Sequence, residues 1–350
     1  MRRCTTLLAI VLALGAVAWP GGRMASVAGA AAGPVKIRLA TLAPRGSSYD
    51  LLLREMGDKW RKASAGQVDL TIYPGGSVGG EAEAVQRMNV DAIQAGMLSV
   101  GGLSEIDWAV AALQEIPMLF RSLDEVEYVR DKMRPDLEKR LLAKGYISLF
   151  WGDSGWVRFF SRNPATRPAD FKGMKIFVTA SSSTKEIEIM QALGYKPVAL
   201  AWSDVLIQLK TNGIDALPVI PVLALSGQYF TVAKHMVEVN WAPIVGATVV
   251  KKNTWDAIPQ AIRDVLMQTA AETGKKIQDA SRKENDTAVQ LMKTLGMQVH
   301  PLTPDGDQEW RQFAEAIYPR VRGGLVPADV SDQARQLVAE YRKSHPDAKP

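Results

Sequence analysis

Residues 259–295 read PQAIRDVLMQTAAETGKKIQDASRKENDTAVQLMKTL. A proline opens the run, where its fixed φ suits a helix start, and the pattern predicts one helix from Pro259 to about Leu295. At 1.5 Å per residue, about 36 residues extend about 54 Å. That exceeds the width of one small domain, so this helix is expected to brace two lobes.

The chain before it supplies material for both. Val35 to Ala40 alternates with Lys36 and Arg38 and reads as a strand; a loop with Pro44, Gly46, Ser47 and Ser48 leads into a helical pattern at Leu51–Leu53, Met56 and Trp60. Val68 to Tyr73 is a second strand, broken by Pro74-Gly75-Gly76. Glu81 to Val90 reads as helix and Ile93 to Val100 as a buried strand. Ser122 with Glu125 makes a capping box for a helix through Ala143, and Tyr146 to Trp151 is the next strand. A second alternation starts near Gly155. Trp156–Phe160, Met174–Val178, Ile214–Val219, Val237–Trp241 and Gly246–Val250 read as strands. Ser183 to Leu193 is a helix closed by Gly194, and Ser203 is read as the cap of another ending at Lys210. Two helices follow the long one, near Asp307–Ile317 and Ser331–Lys343. Repeated strand–helix alternation implies an α/β fold with mostly parallel sheets. The expected domains are residues 35–153 with parts of 244–300 for lobe 1, 154–243 for lobe 2, the bracing helix 259–296, and C-terminal helices in 303–350.

Length and composition agree. The chain has 350 residues, 47% hydrophobic and 23% charged, which suits a folded two-lobed protein. Residues 1–30 carry Arg2, Arg3 and Arg23 and no acid, an apolar run from Leu7 to about Trp19, and small residues at Ala28-Gly29-Ala30: the pattern of a secretory signal peptide, too short to span a bilayer. Without it the formal charge falls from +5 to +2, which offers no face for nucleic acid. Cys4 goes with it, leaving no thiol for disulfide, catalysis or metal. The expected location is the periplasm of a Gram-negative bacterium, with the alternative that the segment is kept as an anchor.

Catalytic signatures are missing. His235, His300 and His345 are isolated and form no zinc motif, there is no G-x-S-x-G, and Gly75–Gly80 lacks the G-K-[ST] ending of a phosphate loop. No acid pair stands out for acid–base work. No enzyme, cofactor or metal site is expected.

Several stretches carry a resemblance in order and spacing: Ile37–Thr41 with Pro44, Gly46 and Ser47; Tyr73–Glu81; Arg162–Pro164 with Pro168–Ile176; Ala192–Gly194; and Val205–Asp215. Over nearly the whole chain after residue 30, the sequence resembles the periplasmic solute-binding proteins of TRAP transporters, the dicarboxylate-binding family. The resemblance implies a two-lobed periplasmic-binding-protein fold (type II-like) that captures a small molecule and delivers it to a membrane permease, without catalysis.

The departures bear on the ligand. The family has an arginine two residues beyond the lysine of its G-x-K-x-R motif, which pairs with a substrate carboxylate. Here Gly173-Met174-Lys175-Ile176-Phe177 puts Phe177 there. A second family arginine often follows a glycine by two; here Gly155-Trp156-Val157-Arg158 sets Arg158 one residue out of step, which in a strand reverses its face. Val219 stands where asparagine is common. An apolar wall should reject a bare carboxylate and favour an apolar body. The expected ligand is therefore apolar or amphipathic, contacted by Ser47, Tyr73, Trp156, Arg158, Phe177, Trp202, Val219 and Trp241, while Trp151, Tyr229 and Phe230 are read as core. The alternative is an organic acid held by Arg158; a secreted hydrolase and a ligand sensor are further rivals. The runs Gly155–Ser161, Ile214–Pro218 and Trp241–Thr248 look like a subgroup whose receptors work with a periplasmic tetratricopeptide-repeat partner.

Overall fold

The structure is a computed structural model that describes residues 33–180 and 184–346. The expected signal segment and Ser183 lie outside the described residues. The first strands and helices come in the expected order: β1 (Val35–Thr41), α1 (Ser48–Ala63), β2 (Val68–Tyr73), α2 (Glu81–Asn89), β3 (Ala95–Ser99), a short α3 (Val100–Ser104), α4 (Leu123–Ala143) and β4 (Tyr146–Trp156). The chain then enters β5 (Arg158–Ser161), β6 (Lys175–Thr179), α5 (Thr184–Ala192), β7 (Lys196–Leu200), α6 (Val205–Lys210), β8 (Ala216–Val219), α7 (Pro221–Ser226) and β9 (His235–Val237). It returns through β10 (Pro243–Lys251) to α8 (Lys252–Asp256), α9 (Gln260–Thr294), β11 (Gln298–His300), α10 (Pro304–Val321) and α11 (Ala328–Ser344).

Two sheets result, in the order β2-β1-β3-β10-β4 and β11-β9-β5-β8-β6-β7. Both are mixed rather than mostly parallel. In the first, β1 runs parallel to β2 and β3 while β10 is antiparallel to β3 and β4. In the second, β6 is parallel to β7 and β8 while β5 is antiparallel to β8 and β9. The antiparallel members are the strands that carry the chain between sheets. β4 leaves the first sheet at Trp156 and β5 enters the second at Arg158, with only Val157 between them; the Val157 N–H bonds the Ala242 carbonyl (2.9 Å) on the returning crossing. The stretch 156–160, expected as one strand, is therefore the junction of two.

The long helix does what its length implied. Its first half contributes Leu266, Ala270 and Ile277 to a core with the first sheet, and its second half contributes Ala288 and Met292 to a core with the second. Close approach is possible because Gly274 lies on Phe150, where a Cβ would come within 2.6 Å of the ring side chain. At α4, Ser122 is the expected N-cap, with Glu125 N–H donating to Ser122 Oγ (3.2 Å), but the expected capping box is not closed: the Glu125 carboxylate accepts from the Arg121 N–H (2.6 Å), one residue before the cap. Ser203 is not a cap. It lies in a 3₁₀ turn, Trp202–Asp204, and donates to the Asp204 carboxylate. Among the described residues no helix is long and apolar enough to cross a membrane.

Candidate functional site

In α/β sheets the chain changes direction at the C-terminal ends of parallel strands, and backbone groups left unpaired there are free for ligands. In the second sheet those ends are at Thr179 and Val219. The antiparallel β5 starts at the same level: Arg158 pairs directly across from Val219. Directly paired residues point to the same face of a sheet. Val219 shares its core with Phe160 and Phe177, so Arg158 is on that face too. β6 and β8 run parallel with Ile176 opposite Ala216; carried three residues on, this register sets Thr179 beside Val219. The strand ends thus present a row of Arg158, Val219 and Thr179. Thr179 was not singled out from the sequence; the signal was its place two residues beyond Phe177 on one face of a strand.

Arg158 is half-buried. Among the described residues its side chain has no hydrogen bond and no carboxylate within ion-pair distance. Burial holds its pKa below the ordinary arginine value, with Glu238 and Asp286 pulling the other way. A partly desolvated guanidinium with an unused fork of donors is a carboxylate receptor by its chemistry. At the far end of this sheet Lys175 Nζ donates to the Asn212 carbonyl, and Arg162, just past β5, donates to the Leu209 carbonyl.

Phe177 is 2% exposed. It sits one pleat below the strand ends and meets Trp202 edge to face, ring centroids 4.9 Å apart. Trp202 is half-buried, so it offers the outer surface of this pair. Trp241 is elsewhere, on the opposite face of the sheet among Phe159, Trp310 and Phe313. Trp156 packs at the end of β4 against the core of the first sheet. Trp151, Tyr229 and Phe230 are core residues.

Ser47 and Tyr73 are at the matching strand ends of the first sheet. Ser47 caps α1, with Oγ accepting from Asp50 N–H and donating to the Pro44 carbonyl (2.7 Å). Beside them the structure adds Glu81 and Ser99. The Glu81 carboxylate accepts from Ser99 N–H (2.7 Å), Ser99 Oγ (2.5 Å) and Gly102 N–H (3.1 Å); burial raises its pKa against those bonds. Surface grooves of about 490 Å³ between α5 and the α10–α11 turn, and of about 480 Å³ between α4 and α11, lie away from Arg158. Among the described residues no group of three or more metal-ligating side chains gathers.

Glu115 follows the 3₁₀ segment Trp108–Leu113 in the first half of the fold. Burial, and then the Glu186 carboxylate on α5, raise its pKa to about 8, with the Gln114 amide (3.3 Å) opposing. Between about pH 4.5 and 8 the folded chain keeps a proton here that the unfolded chain has released, so stability falls as pH rises through that window. Glu115→Gln should match the wild type near pH 4.5 and melt higher than it at pH 8.5, by about 2 kcal/mol after screening. Thermal melts at the two pH values check this; an equal difference at both contradicts it.

Two mixed sheets joined by paired crossing strands, with a helix bracing both, define a two-lobed α/β fold. The profile of the family described as bacterial extracellular solute-binding protein, family 7 (DctP), matches residues 39–322, and the chain belongs to this family. It is similar to the C4-dicarboxylate-binding periplasmic protein DctP of Rhodobacter capsulatus, with 28% identity over 73% of this chain and 77% of that one. It is also similar to the 2,3-diketo-L-gulonate-binding periplasmic protein YiaO of Escherichia coli, with 25% identity over 83% and 87%. Its fold matches a TRAP periplasmic solute-binding protein of Shewanella oneidensis solved with succinate: TM-score 0.80, 19% identity, covering 87% of this chain and 99% of that one.

Proposed function

We propose that the chain is the periplasmic receptor of a TRAP-type transporter and captures an organic acid through Arg158. The observation that carries the reading is the half-buried Arg158 without an ion-pair partner among the described residues, level with Val219. The similar proteins support it: their names carry C4-dicarboxylates, diketogulonate and succinate, all organic acids. They favour the acid over the purely apolar ligand expected from Phe177. The apolar residues keep a part in the proposal. With one guanidinium in the row and Val219 and Trp202 beside it, the preferred acid has a carboxylate at one end and an apolar body. Ser47 and Tyr73 close on it from the first lobe. The lobe limits 35–153 and 154–243 belong to the same proposal, and the tetratricopeptide-repeat partner rests on the sequence resemblance alone.

Calorimetric titration with succinate, D-galacturonate, pyruvate and octanoate tests it. At least one acid should bind the wild type, and Arg158→Ala should weaken it about 30-fold or more, the worth of a charged hydrogen-bonded pair. Arg158→Lys should recover only part, because an ammonium cannot grip two oxygens in a plane. Unchanged affinity in Arg158→Ala, or binding of uncharged apolar compounds only, overturns the reading.

A further inference from the structure

The site row depends on how the chain leaves β4 and where β8 ends, and one side chain of the long helix is bonded to the backbone just before the first point and just after the second. Asn285 is 7% exposed. Its Nδ2 donates to the Ser154 carbonyl at the end of β4 (2.7 Å) and to the Ser281 carbonyl one turn back on α9 (2.9 Å). Its Oδ1 accepts from the Val222 N–H (3.1 Å). Val222 is in the first turn of α7, where a backbone N–H has no partner within its own helix, so Asn285 caps that helix from outside. Next to Ser154, Gly155 takes φ +84°, a conformation that side chains with a Cβ rarely adopt; a Cβ there would lie 3.1 Å from Asn285 Nδ2.

Ser154 is four residues before Arg158, and Val222 three residues after Val219. Arg158 and Val219 face each other in the site row, so a single amide fixes the two chain segments that carry them. The bond to Ser281 ties that amide to the helix that spans both lobes. We propose that Asn285 is the hinge pin of this receptor: a positioning residue that fixes the angle between the lobes and sets Arg158 level with Val219. The proposal deepens the receptor reading and rests on it.

Its test needs no ligand. In a Cys4→Ser background, spin labels at Lys62→Cys on α1 and Lys210→Cys on α6, both exposed, report the distance between lobes by pulsed electron resonance. With Asn285 intact the distance distribution should be narrow. Asn285→Ala should widen it about twofold as open and closed populations mix. Asn285→Asp keeps the acceptor for Val222 but loses both donated bonds, so it should also widen the distribution. A loss of packing at the other end of the same helix, Ile262→Ala, serves as the control for general destabilisation and should leave the width unchanged. An unchanged distribution in Asn285→Ala overturns the pin, and so does an equal widening in Ile262→Ala. If Asn285→Ala does not fold, Asn285→Asp is read against the same control. Because no acid is present, this measurement and the Arg158 titration fail independently.

Discussion

Asp153→Ala is expected to cost about 3–5 kcal/mol of stability, the price of leaving buried cations without their counter-ion. The Asp153 side chain is fully buried near the end of β4. Arg282 on the long helix grips it with both arms of its fork, Nε to Oδ1 at 3.0 Å and Nη2 to Oδ2 at 2.6 Å. Gln278 adds a bond of 2.8 Å, and Arg130 of α4 approaches to 3.8 Å. Arg130 is itself nearly buried, and its Nη1 has no hydrogen-bond partner. Burial opposes the charge of Arg282, but its bond to Asp153 and the fields of Asp153 and Glu127 outweigh this and raise its pKa. Removing the carboxylate leaves two guanidinium groups facing each other around a hole. Asp153→Asn keeps the shape and should lose less. Pairing Asp153→Ala with Arg282→Met should recover part of the loss, since the uncompensated charge goes with the arginine. Urea unfolding midpoints of the four proteins measure this. A loss under about 1 kcal/mol in Asp153→Ala would mean that Glu127 and Asp131, which also pair with these arginines, compensate the cations without it.

The sequence showed the architecture through its long periods. The 35-residue helix was legible within about two residues at each end, because no proline interrupts the pattern and Pro259 marks its start. The cap at Ser122 was legible because its chemistry is local. What was lost was everything decided by which sheet a strand joins. Trp156 to Phe160 is one apolar run, and periodicity cannot reveal that Val157 falls between two sheets. The same fact undoes the argument that Arg158 faces the wrong way for being one residue out of step from Gly155. Face alternation holds only along a continuous strand. Here the glycine sits at positive φ, the chain changes sheets, and Arg158 enters on the face of Val219 and Phe177. Glu81 and Ser99 were hidden for another reason. They are 18 residues apart, and only the side-by-side packing of β1 and β3 brings a carboxylate onto the Ser99 backbone.

Phe177→Ala should destabilise the second lobe by about 3–5 kcal/mol, as large aromatic truncations in a core do. The ring is nearly sealed, one pleat beneath the strand ends, and Trp202 rests on its edge. Its depth changes the meaning of an aromatic residue at the position where the resemblance implies arginine. An arginine anchored at this level can extend its four-atom stem past the next pleat and bring its guanidinium to the strand ends. A phenylalanine is too short to do so and turns into the core instead. Losing the arginine there subtracts a charge from the site without lining it with the ring. In the proposed reading the cationic work falls to Arg158, which starts at the strand-end level and needs no reach. Phe177→Leu separates packing from contact. It keeps most of the volume, so stability should return to within about 1.5 kcal/mol of the wild type. Acid affinity should return with it on the proposed reading, in which Trp202 and not Phe177 meets the ligand. Trp202→Ala should do the reverse, leaving most of the stability and weakening the acid with the apolar body more than succinate. Denaturation and calorimetry on the three variants decide between the two roles. If Phe177→Leu regains stability while acid binding stays lost, the ring itself touches the ligand and the depth argument fails.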